Sequence, residues 1–332
     1  GEGGLSPYHL EGGCDVIFQI GTAKYGVRDR NGQLSDTKLK EVAGHKEVKM
    51  FEIKLSQGAK PGKGGILPGN KVSKDIADIR GIEIGKDSIS PNRHKDIGNL
   101  DELLSAIRHI REITGKPTGF KTVIGSFEWL HTMCKTILDK GPDWAPDFIT
   151  IDSADGGSGA APQPLMDYMG LPIQEALPQV IQILESHGLR ERIRVIVSGK
   201  LITPSAIAWA LCVGADSINS ARGFMFALGC IQALQCNTNN GPTGVTTHRK
   251  DLQRGLDPSD KATRVANYAQ RIQEEVAMIA HSCGVPEPRA LRPHHARMVI
   301  DELHSEPLSS LYKVQKNNTS VGVRHKDSLP ND

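Results

Sequence analysis

Short β-branched or aromatic runs alternate along the chain with stretches in which apolar residues recur every three or four positions. The runs predict strands at Val16–Ile20, Val48–Lys54, 119–124, 147–151, Arg194–Ser198 and Ser217–Asn219. Leu100, Leu103, Leu104, Ile107 and Ile110 lie at helical spacing, with Asn99 and Glu102 as a start signal and Gly115-Lys116-Pro117 as a stop. A second helix is expected over 175–187, carrying Leu177, Val180, Ile181 and Leu184 on one face, with Gly188 beyond its end. A third opens with Thr203-Pro204 and closes at Gly214. Alternation at this spacing predicts a parallel sheet with crossover helices, hence a (β/α) barrel.

After Thr247 the pattern changes. Residues 257–283 read as one long helix, apolar at Val265, Tyr268, Ile272, Val276 and Ile279, and no further strand is predicted. We therefore expect a barrel over 1–247, a helical extension packed on it over 248–315, and a polar, disordered tail over 316–332.

Composition narrows the partners. With 40 Lys+Arg against 38 Asp+Glu, interspersed, the net charge of +2 argues against nucleic acid or an anionic membrane as the main partner. No apolar run is long enough for a membrane-spanning helix. Six cysteines are too sparse for a disulfide framework and point to a reducing, cytoplasmic compartment, with a membrane anchor in a missing N-terminus as the alternative. The start, Gly1-Glu2-Gly3-Gly4, has no initiator Met and no leader-like pattern, and reads as a processed chain or a fragment.

In parallel barrels ligands sit at the carboxyl ends of the strands, so the residues just after each strand carry the candidate chemistry. The second strand ends in Lys54 and runs into a glycine-rich loop with Gln57 and Lys60. A lysine inside an apolar strand is costly unless it has a partner, although a solvated turn is the plain alternative. Lys121 sets another cation in a core strand; in a barrel that binds flavin such a lysine would stabilise the negative charge that appears on reduction, and otherwise it points outward. Asp155, Gly156 and Gly157 follow the fourth strand. Ser198-Gly199-Lys200 and Ser220-Ala221-Arg222 follow the last two, where barrels commonly bind phosphate through backbone N–H groups. Arg222 would add a charge-assisted contact. Periodicity and spacing thus predict a barrel with a phosphate site. Cys230 and Cys236, taken alone, read equally well as two small buried thiols.

Several long motifs go further. Phe51-Glu52-Ile53-Lys54-Leu55-Ser56-Gln57-Gly58-Ala59-Lys60-Pro61-Gly62, Asp155-Gly156-Gly157-Ser158-Gly159-Ala160, Ser220-Ala221-Arg222-Gly223-Phe224-Met225 and Leu228-Gly229-Cys230-Ile231-Gln232-Ala233 occur in this order. Together they resemble the FMN-binding domain of glutamate synthase, and more closely the stand-alone FMN-binding glutamate synthase family proteins that lack a glutaminase domain. The resemblance runs from Gly1 to about residue 315. It implies a (β/α)8 TIM-type barrel with FMN and an iron–sulfur cluster. In it 2-oxoglutarate and ammonia form 2-iminoglutarate, and reduced flavin delivers hydride to give glutamate.

The same resemblance implies roles for individual residues. Lys121 would contact the N1/O2 edge of FMN, and Gly199, Ser220, Ala221 and Arg222 would hold its phosphate, with Gly156, Gly157, Ser198 and Lys200 beside the cofactor. Lys54, Gln57 and Lys60 would face the substrate, with Asp155 nearby and Glu2 in an acidic loop beside the site. Cys230 and Cys236 would be two ligands of a three-iron cluster. An electron-donor protein would reduce the flavin, since no dinucleotide-binding glycine motif follows a strand, and ammonia would come from solution or from glutamine.

Three departures stand against the family pattern. The first two barrel strands are missing, so the chain supplies strands three to eight. The third cluster cysteine, expected just before Pro242, is Gly241, which leaves the cluster short of a thiolate. The glutamine after the Gly64-Gly65 pair is Ile66, which removes a polar substrate contact. Two other readings follow. One is another FMN barrel oxidoreductase acting on 2-hydroxy or 2-amino acids. Against it, no histidine follows the Lys121 or Asp152 strands to serve as base, and His94, His131, His248, His294 and His295 read as surface or structural. The other is an inactive, truncated barrel that binds a ligand without turnover, suggested by the missing strands and Gly241.

Overall fold

A computed structural model describes residues 3–157, 159, 161–166 and 169–312. Six parallel strands form the main sheet: β1 (Val16–Ile20), β2 (Val48–Lys54), β5 (Thr118–Thr122), β6 (Phe148–Asp152), β7 (Arg194–Ser198) and β8 (Ser217–Asn219), hydrogen-bonded in that order. Two short antiparallel ribbons complete the strand set. They pair β3 (Ile66–Leu67) with β4 (Ser88–Ile89), and β9 (Arg297–Asp301) with β10 (His304–Pro307).

Helices Asp36–Ala43, Leu100–Thr114, Glu128–Lys140, Ile173–Ser186 and Pro204–Val213 follow the strands β1, β2, β5, β6 and β7, as βα units require. Their ends follow local chemistry. Asn99 caps Leu100–Thr114 through the Glu102 N–H, and Gly115, at φ +65°, ends it in the left-handed region. Thr203 accepts from the Ala206 N–H and precedes Pro204.

The two faces of the sheet differ. Phe18, Phe51, Ile53, Phe120, Ile149, Ile151, Val195 and Val197 join a continuous buried core with the crossover helices. The opposite face carries Gln19, Glu52, Lys54, Lys121, Thr150, Asp152 and Ser198, brought side by side by the register. Beneath them Ile17, Met50, Phe148 and Ile196 line a cavity of about 940 Å³. Gly119 makes room there, because a Cβ would overlap the Phe148 carbonyl oxygen and crowd its ring. Within the described residues β1 and β8 are edges, so the architecture is an open (β/α) barrel corresponding to the expected strands three to eight.

The expectations need correction at several points. The strand expected at 119–124 is Thr118–Thr122, because the Val123 N–H donates to the Ser56 hydroxyl, 2.8 Å away, and leaves the ladder. The strand expected at 147–151 is Phe148–Asp152. The region after Thr247 does contain strands, β9 and β10. Arg297–Asp301 carries the short apolar run Met298-Val299-Ile300, but its partner His304–Pro307 is polar and ends in proline, so only the pairing marks the hairpin. The long helix is Pro258–Ser282; it packs on Pro204–Val213 and on the short helix Ala221–Ala227. Its Tyr268 hydroxyl donates to the Ile202 carbonyl at 2.7 Å. The tail expected at 316–332 lies outside the described residues. Among the described residues no helix is long and apolar enough to cross a membrane.

Candidate active site

β2 delivers Lys54 to the carboxyl end of the sheet, and the following turn brings Gln57 back to it: the Lys54 ammonium donates to the Gln57 amide oxygen at 2.6 Å. Lys54, Gln57 and Lys60 line one cleft of about 50 Å³, joined by Lys63, Thr22 and Asn92. Register places Lys54 beside Lys121 of the neighbouring strand, so two ammonium groups end adjacent strands. His94, buried behind them, bonds the Lys54 carbonyl through Nε2 at 2.9 Å and so buttresses the strand end. Ile66, at the position of the family's glutamine, is 60% exposed and does not line the cleft.

The residue that ties these elements together opens the polar, glycine-rich stretch expected directly after the fourth strand, where the sequence assigns it no role. Asp152 is buried; its Oδ1 accepts from the Ser198 hydroxyl and its Oδ2 from the Gly58 N–H, each at 2.9 Å, with the Lys121 ammonium 3.9 Å from Oδ2. A buried carboxylate is tolerated only with such partners. One layer deeper, buried Glu52 accepts from the Gln19 amide and the Thr150 hydroxyl. Glu52 carries the same sequence signal as Lys54, a charged residue inside a predicted strand, whereas Asp152 lies just beyond the strand expected at 147–151 and joins it only in the structure.

The residues expected around a phosphate also come together. Gly156, Gly157, Ser198, Gly199, Lys200, Ser220, Ala221 and Arg222 line a cavity of about 40 Å³ beside Asp152. Its walls are backbone: a Cβ on Gly156 would lie 3.1 Å from the Gly199 Cα, and Gly199 itself has φ +109°. Asp155 belongs to this end and not to the Lys54 cleft. Its carboxylate accepts from the Ser153 hydroxyl and lies 2.9 Å from the Lys200 ammonium, while Arg222 reaches its carbonyl oxygen at 3.4 Å. Burial opposes ionisation of Asp155, but the Ser153 hydroxyl, Lys200 and Arg222 outweigh it and hold its carboxyl below the ordinary value. A backbone-walled cradle with Lys200 and Arg222 at its rim fits the phosphate end of FMN.

Cys230, Cys236 and Gly241 line a third cavity, of about 160 Å³, with apolar walls that include Met225, Phe226, Ile231 and Leu234. Both thiols are free. Among the described residues no three His, Cys, Asp or Glu side chains gather to hold a metal ion. Two thiolates and a glycine do not fit a cluster that needs three. Glu2 lies outside the described residues.

The fold and this arrangement define an open (β/α) barrel with its polar site at the carboxyl ends of the strands. Comparison with known proteins makes the assignment specific. Residues 1–286 match the family described as a conserved region in glutamate synthase. The chain is 45% identical over 295 residues to the glutamate synthase large subunit-like protein YerD of Bacillus subtilis, covering 89% of this chain and 56% of that protein. It is 33% identical over 298 residues to the archaeal glutamate synthase [NADPH] of Methanocaldococcus jannaschii, covering 90% and 55%. The chain belongs to the glutamate synthase family, and spans a little over half the length of these two relatives. Among solved structures, a mutant of an active chimera of (S)-mandelate dehydrogenase matches with a TM-score of 0.50 at 14% identity, over 88% of this chain and 68% of that one, a likeness of fold.

Proposed function

We propose that this barrel binds FMN and catalyses glutamate synthase-type reductive amination of 2-oxoglutarate to glutamate. Family membership supports the reaction class, and the observation that carries the substrate is the cleft where Lys54, Gln57 and Lys60 meet. A 2-oxo dicarboxylate brings two negative charges, and the lysines lining this cleft, Lys54, Lys60 and Lys63, complement them.

When bound, FMN supplies a hydride equivalent. Lys200, Arg222 and the backbone of Gly199 and Ser220–Arg222 would hold its phosphate, and Lys121 would stand toward the ring. Asp152 fixes Lys121, Ser198 and the Gly58 turn relative to one another. Gln57 holds the Lys54 ammonium in place through its amide oxygen. The lysines orient the substrate by its carboxylates while ammonia adds at C2 and water leaves, giving 2-iminoglutarate, whose C=N bond is reduced by one hydride and one proton. A separate electron-donor protein supplies two electrons per turnover, and ammonia comes from solution or from glutamine hydrolysed elsewhere.

The test is anaerobic. The chain is loaded with FMN, desalted, reduced with dithionite and mixed with 2-oxoglutarate and ammonium. Glutamate formation is expected, and Lys54→Met and Lys60→Met should each lower kcat/KM for 2-oxoglutarate at least about tenfold while flavin content is unchanged. Turnover with 2-hydroxy acids only would overturn the substrate assignment, and flavin retained with no turnover of any acid would favour an inactive ligand-binding barrel.

A further inference from the structure

Resting on the flavin reading above, we infer that this chain works without an iron–sulfur cluster and that Thr246 closes the ligand position a cluster would need. The thiol cavity retains much of a ligand loop. Cys230 and Cys236 line one space, with the Gln232 N–H donating to the Cys230 sulfur at 3.4 Å. The intervening segment holds two non-glycine residues in the left-handed region, Gln232 (φ +55°) and Leu234 (φ +56°). Lys71, 7% exposed, anchors the second thiol by donating to the Cys236 carbonyl at 2.8 Å. The loop is thus held as a site while the third corner is filled.

That corner is Gly241. A Cβ built there would overlap the Thr246 hydroxyl oxygen, and Thr246 lines the same cavity. Threonine is β-branched, so two of its three χ1 rotamers keep a heavy atom in that position, and only the one that turns the Cβ hydrogen toward Gly241 clears it. The loss is therefore double: the thiolate is absent and the room for it is taken. Cys14, Cys134, Cys212 and Cys283 do not line the cavity, and no trio of ligating side chains forms among the described residues. Both reducing equivalents then have to reach the flavin from its donor without an intermediate carrier in this chain.

The experiment reads iron, acid-labile sulfide and flavin separately after anaerobic incubation of the full chain with ferrous iron, sulfide and FMN, followed by desalting. Wild type and Gly241→Cys should each retain under about 0.3 iron per chain, whereas Gly241→Cys/Thr246→Ala should retain about three, roughly a tenfold rise. Thr246→Ala alone, expected to fold and hold no iron, controls for the second substitution. A reductive titration of wild type loaded with FMN should take up about two electrons, those of the flavin, and not a third. About three irons on wild type would overturn the inference. Full assembly in Gly241→Cys alone would show that Thr246 is no obstacle. A folded double variant without iron would show that the remaining loop is not a cluster site. Loss of flavin from wild type with the iron results as expected would count against the flavin reading and leave this one standing.

Discussion

The Asp152 carboxylate accepts the backbone N–H of Gly58 at 2.9 Å, which ties the end of β6 to the turn that follows β2, ninety-four positions earlier in the chain. Its other oxygen takes the Ser198 hydroxyl, so one side chain joins three strand ends. Replacing it leaves a buried N–H, a hydroxyl and the Lys121 ammonium with an acceptor removed. Asp152→Ala should destabilise the fold by about 2–4 kcal/mol and reduce flavin retention. Urea denaturation monitored by circular dichroism, with flavin content after desalting, checks both; a change below about 0.5 kcal/mol would rule out the tying role.

Gly58 is required for a second reason. A Cβ there would overlap the Gly156 carbonyl oxygen and come 2.6 Å from the Ser153 carbonyl oxygen, where the two loops cross. Neither is the free end of a side chain, so the backbone must move. Gly58→Ala should cost more than about 2 kcal/mol and lower FMN affinity at least tenfold, read by urea denaturation and by flavin fluorescence titration. Wild-type affinity in this variant would mean that the loop crossing does not shape the cofactor site.

Asp155 should give stability a pH signature. Its folded pKa is held below the ordinary carboxylate value, so its contribution is complete above the unfolded value of about 4 and is lost as pH falls through the lower folded value. The stability difference between wild type and Asp155→Asn, from urea titrations across this range, should be constant above about pH 5 and shrink on acidification below about pH 4. A difference that grew on acidification would contradict the pairing with Ser153 and Lys200.

The cysteines should divide by reactivity. Burial pushes the Cys134 thiol up to about 12 and, with a smaller contribution from nearby Cys283, the Cys212 thiol to about 11. Both lie in the core. Only the thiolate reacts, so a maleimide at pH about 8 should leave these two unmodified in the native chain and reach all six cysteines in denaturant. Peptide mapping identifies them; native labelling of Cys134 would show that the helix Glu128–Lys140 opens.

Ile66 provides a last check on the cleft. Its side chain is exposed and paired with Ile89 across the β3–β4 ribbon, outside the lysine-lined space. Ile66→Gln should therefore change kcat/KM for 2-oxoglutarate less than about threefold, against the tenfold expected of the lysines. A larger gain would bring residue 66 into the substrate site.

Much of this protein is readable from local pattern alone. Period and punctuation mark the six strands and three of the five helices between them, because burial on a parallel sheet demands continuous apolar runs and because Asn99, Gly115, Thr203 and Pro204 act on their own neighbours; Asp36–Ala43 and Glu128–Lys140 emerge only in the structure. The lysines at 54 and 121 announced themselves as charges inside apolar strands. Glu52 carried the same signal and Asp152 lay at the edge of a predicted strand, yet their roles depend on partners from other elements, and only the fold brings Gln19, Thr150, Ser198 and Gly58 to them. The β9–β10 hairpin was hidden because its pairing, not its composition, makes it a strand pair. Asp155 shows the same division: its motif marks a loop after a strand, but which cations it meets is set by where Lys200 and Arg222 arrive from the next two units. At Gly241 the sequence supplies no side chain where the resemblance implies a cluster cysteine. That Thr246 occupies the space was decided by tertiary structure, since side-chain volumes compete only once the fold brings them within contact.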